Sequence, residues 1–135
     1  MQRNEDGDQA ERERAAREVL LAAGADGLEQ RPWQVGSMPP SAVDLTQFFL
    51  WRSRSAAFGE ANEVDQEMAD AVLAALQLLP AARAEVDQLE TGLLFAARGL
   101  GLTWAQMASA LGLNSPQACQ QRLDRLTARS SRVTP

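Results

Sequence analysis

The chain has 135 residues, 45% of them hydrophobic, with 13 basic against 18 acidic side chains and a net charge of −5. That length supports one modest domain. A single Cys excludes a disulfide framework, and no apolar run approaches the ~20 residues of a membrane span. The charged start has none of the pattern of a signal peptide, so a cytoplasmic protein is expected. There is no His and no Tyr. Without a nucleophile beside a base or a Gly-rich phosphate loop, neither an enzyme nor a cofactor-binding protein is expected.

Residues 1–40 divide into a charged segment and a Gly/Pro-rich connector. Asp8 is placed to cap a helix through ERERAAREVLLAA. Its apolar positions Ala15, Ala16, Val19, Leu20 and Ala23 make only a short stripe, which predicts a solvated or fraying helix. An arm that touches a protein partner or a second subunit is the alternative. Gly24, Gly27, Pro32, Gly36, Pro39 and Pro40 then interrupt too often for a helix. The apolar Trp33, Val35 and Met38 in that connector are expected to dock on a helical core.

Residues 41–79 read as a helical support or dimerisation region. Ser41 and Asp44 resemble a capping box for a helix near 42–58. The run Phe48-Phe49-Leu50-Trp51 is apolar on more than one side, which marks a helix that is central or shared between chains. Phe48, Phe49 and Trp51 are therefore the expected dimer surface. A second helix over 60–79 carries Val64, Met68, Ala71, Val72, Ala75, Leu76 and Leu79 at helical spacing. Glu60, Glu63, Asp65, Glu67 and Asp70 crowd its first half. No His or Cys joins them, so a solvated face is expected and no metal site.

Residues 80–129 are expected to form a three-helix unit, followed by a disordered tail over 130–135. Pro80 suits the first turn of a helix to about residue 99. Val86, Leu89, Leu93, Ala96 and Leu100 are its predicted inner stripe. Gly92 costs that helix about 1 kcal/mol against Ala, a cost consistent with close approach by another helix. Gly99 and Gly101 end it. Thr103 and Gln106 then have capping-box spacing, and Trp104, Met107, Ala108 and Leu111 form one apolar face. Gly112 is placed to stop that helix, with Leu113 as an apolar plug. Ser115 and Pro116 start the last helix, whose inner stripe is Cys119, Leu123 and Leu126.

This is the pattern of a helix-turn-helix, with the last helix as the one that enters the major groove. Ser115, Gln117, Ala118, Gln120, Gln121, Arg122 and Arg125 would meet DNA. Gln and Arg are suited to adenine and guanine edges, and both bond phosphate. Charge is distributed to match. Residues 98–135 hold five Arg against Asp124, a balance of +4, whereas residues 1–97 balance at −9.

The region 82–129 also resembles a family. Trp104, Leu111-Gly112-Leu113 and Gln117-Ala118 with Arg122 look like the small actinobacterial helix-turn-helix proteins of unassigned role. More distantly, the turn and the run Arg122-Leu123-Asp124-Arg125 are similar to region 4 of sigma factors, with one residue more in the turn at Asn114. The resemblance implies a DNA-binding transcriptional or nucleoid-associated role.

The expectation is thus an all-α protein of five or six helices that binds double-stranded DNA in the nucleoid as a homodimer. The rival is an adaptor or anti-activator that uses the same helical unit, or the acidic N-terminal half, to bind protein. DNA mimicry by that acidic half is a third reading.

Overall fold

A computed structural model describes residues 2–30, 39–55 and 66–133. All regular structure among them is helical. Six α-helices appear in the order α1 (Gln2–Ala22), α2 (Ala42–Ser55), α3 (Gln66–Gln77), α4 (Leu79–Gly99), α5 (Trp104–Leu111) and α6 (Pro116–Val133). A 3₁₀ turn at Ala25–Gly27 follows α1. None of the described helices is long and apolar enough to cross a membrane. The chain divides into two units, residues 1–85 and 86–135, with the boundary inside α4.

The first unit packs α1, α2, α3 and the first turns of α4 around Ala16, Leu20, Ala42, Leu45, Phe49, Ala71, Ala74 and Leu78. The expected fraying arm is instead a core element. Leu20 and Ala16 are almost wholly buried, and helix α1 starts at Gln2, well before the expected cap at Asp8. The physical reason is side-chain size. Small residues such as Ala16, Ala71, Ala74 and Ala75 let helices approach closely, and this interface is made of them. On α3 the buried row is Ala71, Ala74 and Ala75, continued by Leu78 just beyond it, while Val72 and Leu76 of the predicted stripe, and Leu79 at the start of α4, face outward.

Charged groups tie these helices at one point. The Glu85 carboxylate accepts the Ala42 N–H at 2.6 Å and the Val43 N–H at 3.2 Å. These are donors that the first turn of α2 cannot satisfy within the helix. The Ser41 hydroxyl accepts the Asp44 N–H at 3.1 Å, as the capping pattern predicts. Arg17 donates to the Pro40 carbonyl at 2.7 Å and lies 3.8 Å from Glu85.

The run Phe48–Trp51 is split between environments. Phe49 is 7% exposed and belongs to the core, so it is removed from the expected dimer surface. The Phe48 ring closes over Gly24, whose φ of +120° and close neighbour leave little room for a side chain. Trp51 is exposed and tilted against Phe48, with ring centroids 6.2 Å apart. Trp33, Val35 and Met38, and the acids Glu60, Glu63 and Asp65, lie outside the described residues.

The second unit is α5 and α6 packed with the remainder of α4 around Leu94, Met107, Ala108, Cys119, Leu123 and Leu126. The inner stripe predicted for α4 is overturned. Leu94, with Ala97 beside it, turns to the core, whereas Val86, Leu89, Leu93 and Leu100 are exposed. Both rows have helical spacing, and periodicity alone cannot say which one meets α5 and α6. Helix α6 continues to Val133, past the expected end at Arg129, because no Gly or Pro interrupts residues 117–134.

Two substitutions test the first unit. Leu20→Ala should lower unfolding stability by about 2–5 kcal/mol, the cost of a cavity at a closed site. Glu85→Ala should lower it by about 1–2 kcal/mol by orphaning the α2 donors. Urea unfolding followed by circular dichroism measures both. A loss under 0.5 kcal/mol for Leu20→Ala would contradict a packed α1.

Candidate nucleic-acid interface

The α5–α6 segment is built from three local devices. Thr103 is extended and caps α5: its hydroxyl accepts the Gln106 N–H at 3.1 Å, while Gln106 Oε1 accepts the Thr103 N–H at 2.8 Å. Gly112 ends α5 in the left-handed region, with φ 73° and ψ 23°. Its N–H donates to the Ser109 carbonyl at 3.1 Å, and the Leu113 N–H donates to the Ala108 carbonyl at 2.8 Å. This pair of bonds is a Schellman ending, which requires a residue tolerant of positive φ. Helix α4 ends in the same way at Leu100-Gly101-Leu102, where Gly101 has φ 84°. The third device is Ser115, whose hydroxyl accepts the Ala118 N–H at 3.1 Å.

Leu113 packs partly against the core, and Cys119 behind it is fully buried. The inner stripe Cys119, Leu123 and Leu126 is buried as the spacing predicts. Met107 and Ala108 are buried too, but Leu111 stays 40% exposed. Trp104 is half-buried, with the Arg98 guanidinium stacked 4.8 Å from its ring centroid. Arg98 also donates to the Leu102 carbonyl at 3.1 Å. That stacked arrangement was not anticipated; its only trace in the sequence is the Arg98–Trp104 spacing.

The predicted DNA-facing residues separate into two rows. Gln117, Gln120 and Gln121 are exposed, and Asp124 continues their face. Ala118 and Ser115 are half-buried, and the Ser115 hydroxyl is used by its own cap. Arg122, Arg125 and Arg129 form the other row, beside the acids of α4. Arg122 Nε lies 2.6 Å from Glu90 Oε1, and its Nη2 donates to Oε2 at 3.3 Å. Arg129 Nη1 donates to Asp87 Oδ2 at 3.2 Å. Arg125 makes no ion pair among the described residues.

Magnitudes separate these cations. An exposed pair such as Arg129–Asp87 contributes about 0–1 kcal/mol, so a phosphate competes for it on even terms. The Glu90 side chain is only 11% exposed. Stripping its cation would leave a nearly buried carboxylate unpaired, at a cost of about 1–3 kcal/mol or more. Arg122 therefore anchors α6 to α4. Of the predicted DNA-facing residues, those left to meet a ligand are Gln117, Gln120, Gln121 and Arg125.

No family model matches the chain, and no curated protein or solved structure is similar to it.

Thr103→Ala removes the cap hydroxyl and should lower stability by about 1 kcal/mol. Gly112→Ala forces a Cβ into the left-handed region and should cost about 1–2 kcal/mol. Thermal melts measured by circular dichroism test both. A Gly112→Ala chain that melts at the wild-type temperature would contradict the turn geometry.

Proposed function

We propose that this chain binds double-stranded DNA through α6, as a transcriptional regulator or nucleoid-associated protein acting as a homodimer. The observation that carries the reading is the capped α5–Gly112–α6 junction, which presents Gln117, Gln120 and Gln121 on an open face at the start of α6. In the mechanism this supports, the first turns of α6 enter the major groove. Glutamines there read adenine edges, each bidentate contact discriminating by about 1–3 kcal/mol. Arg125 holds phosphate, and Arg122, paired with Glu90, is a positioning residue. The second unit carries five Arg against Asp87, Glu90 and Asp124, a balance of +2, whereas residues 1–85 balance at −7.

A second reading, an adaptor that binds protein through the same unit, is favoured by a different observation. Two of the α6 cations are neutralised internally, and an apolar stripe on α4 is open. Salt dependence separates the two, because contacts to phosphate weaken steeply with ionic strength and apolar contacts do not.

Fluorescence anisotropy with labelled duplexes over a salt series tests the DNA reading. The wild type should bind with a steep salt slope, and Gln121→Ala/Arg125→Ala should lose about tenfold or more in affinity with helicity intact. Glu90→Gln releases Arg122 and should strengthen binding, with the slope steeper by about 0.9 for one further phosphate contact. No binding of any duplex at low salt would overturn the reading.

A further inference from the structure

The sequence places along α4, and on the residue just after it, a stripe in which Val86, Leu93 and Leu100 lie seven apart, with Leu89 and Ala96 between them at alternating steps of three and four. That is heptad spacing, the pattern of a helix meant for another helix. Among the described residues of the second unit, nothing covers it. Leu89 is 67%, Leu93 70% and Leu100 82% exposed. The stripe borders an apolar groove of about 500 Å³ whose floor includes Leu94, Ala97 and Met107.

We infer that this face is the homodimer interface, with the α4 helices of two copies packed antiparallel across a two-fold axis near Gly92. Three observations favour a second copy over another occupant. The stripe itself carries no charged side chain, and the two charged residues that line the groove beside it, Glu90 and Arg122, are paired with each other, so little there would select a dissimilar chain by charge. It is complementary to itself, as an isologous interface must be. Its area also suffices. If wholly covered, the exposed surface of Val86, Leu89, Leu93, Leu100, Leu102 and Leu111 would remove at most roughly 600 Å² per copy, or about 1,200 Å² for two, against the ~1,000 Å² total that a specific interface needs.

Gly92 carries the argument further. A glycine in mid-helix lowers helix stability. Here no described residue comes within 4 Å of where its Cβ would stand, so no contact among the described residues requires it. It flanks the stripe, where the absence of a side chain lets a second backbone come close. The antiparallel sense also opposes the two helix dipoles.

The interface replaces Phe48, Phe49 and Trp51 as the dimer surface. It supplies the pairing that the DNA-binding reading calls for, yet it is measured without DNA, so either can fail alone. Sedimentation equilibrium on the full chain over roughly 1–100 μM should show a monomer–dimer equilibrium in the micromolar range. Leu89→Glu/Leu93→Glu changes only exposed positions and should give a monomer with wild-type helicity. Gly92→Leu should raise the monomer's melting temperature, through better helix propensity, yet weaken association about tenfold or more. A wild-type chain that stays monomeric throughout would overturn the inference and leave the face to a different protein. A dimer that survives Leu89→Glu/Leu93→Glu but is lost in Trp51→Ala would overturn it in favour of α2.

Discussion

The second unit depends on one backbone constraint, the left-handed conformation at Gly112. It lets the Ala108 and Ser109 carbonyls be satisfied while the chain reverses, and it delivers Leu113 to the core one residue later. With Leu113 seated, Ser115 caps α6 and Cys119 falls in the fully buried position behind the turn. The orientation of α6 follows, and with it the placing of three glutamines outward and of the arginine row beside α4. The same ending at Gly101 fixes where α4 gives way to α5, so two Leu-Gly-Leu segments set the whole path of the unit.

Electrostatics then decide which cations α6 has to offer. A count of charge along the chain credits every arginine after residue 97 to a ligand. Arg98 is stacked on Trp104, Arg122 serves Glu90, and Arg129 is shared with Asp87. The proposed interface is consequently more polar than cationic at its reading end. It leans on amide side chains for contact and on Arg125 for charge. One such unit buries little surface on DNA, and two copies multiply the effect through effective concentration. The interface proposed on the α4 stripe would give that pairing a physical basis.

The sequence shows the local devices of this fold clearly and the long-range ones poorly. Thr103, Gln106, Gly112, Ser115 and Cys119 act on neighbours within a few residues, so spacing alone identifies their roles. The capping of α2 by Glu85 joins groups 42 and 43 residues apart, and nothing local signals it. Phe48 and Phe49 are adjacent and alike in chemistry, yet one covers Gly24 and the other fills the core. Helix α1 looked too poor in large side chains to be central. Its Ala16 and Leu20 suffice because α3 presents alanines to them. On α4 two rows compete at the same period. The larger, more regular one, Val86 to Leu100, reads as core in the sequence and is the one left open. For the site, the glutamine face was legible. Glu90 engages Arg122 from 32 residues away, so spacing within α6 cannot tell a cation held by α4 from one open to a ligand.

The most direct measurement is a heteronuclear NMR titration of the isotopically labelled full chain with a short duplex at low salt. If α6 is the DNA-reading element, backbone and side-chain amide shifts should concentrate between Ser115 and Arg125, led by the side-chain amides of Gln117, Gln120 and Gln121. The Leu94 and Cys119 core should stay unmoved. Shifts confined to α4, or a spectrum unchanged by saturating duplex, would contradict the account.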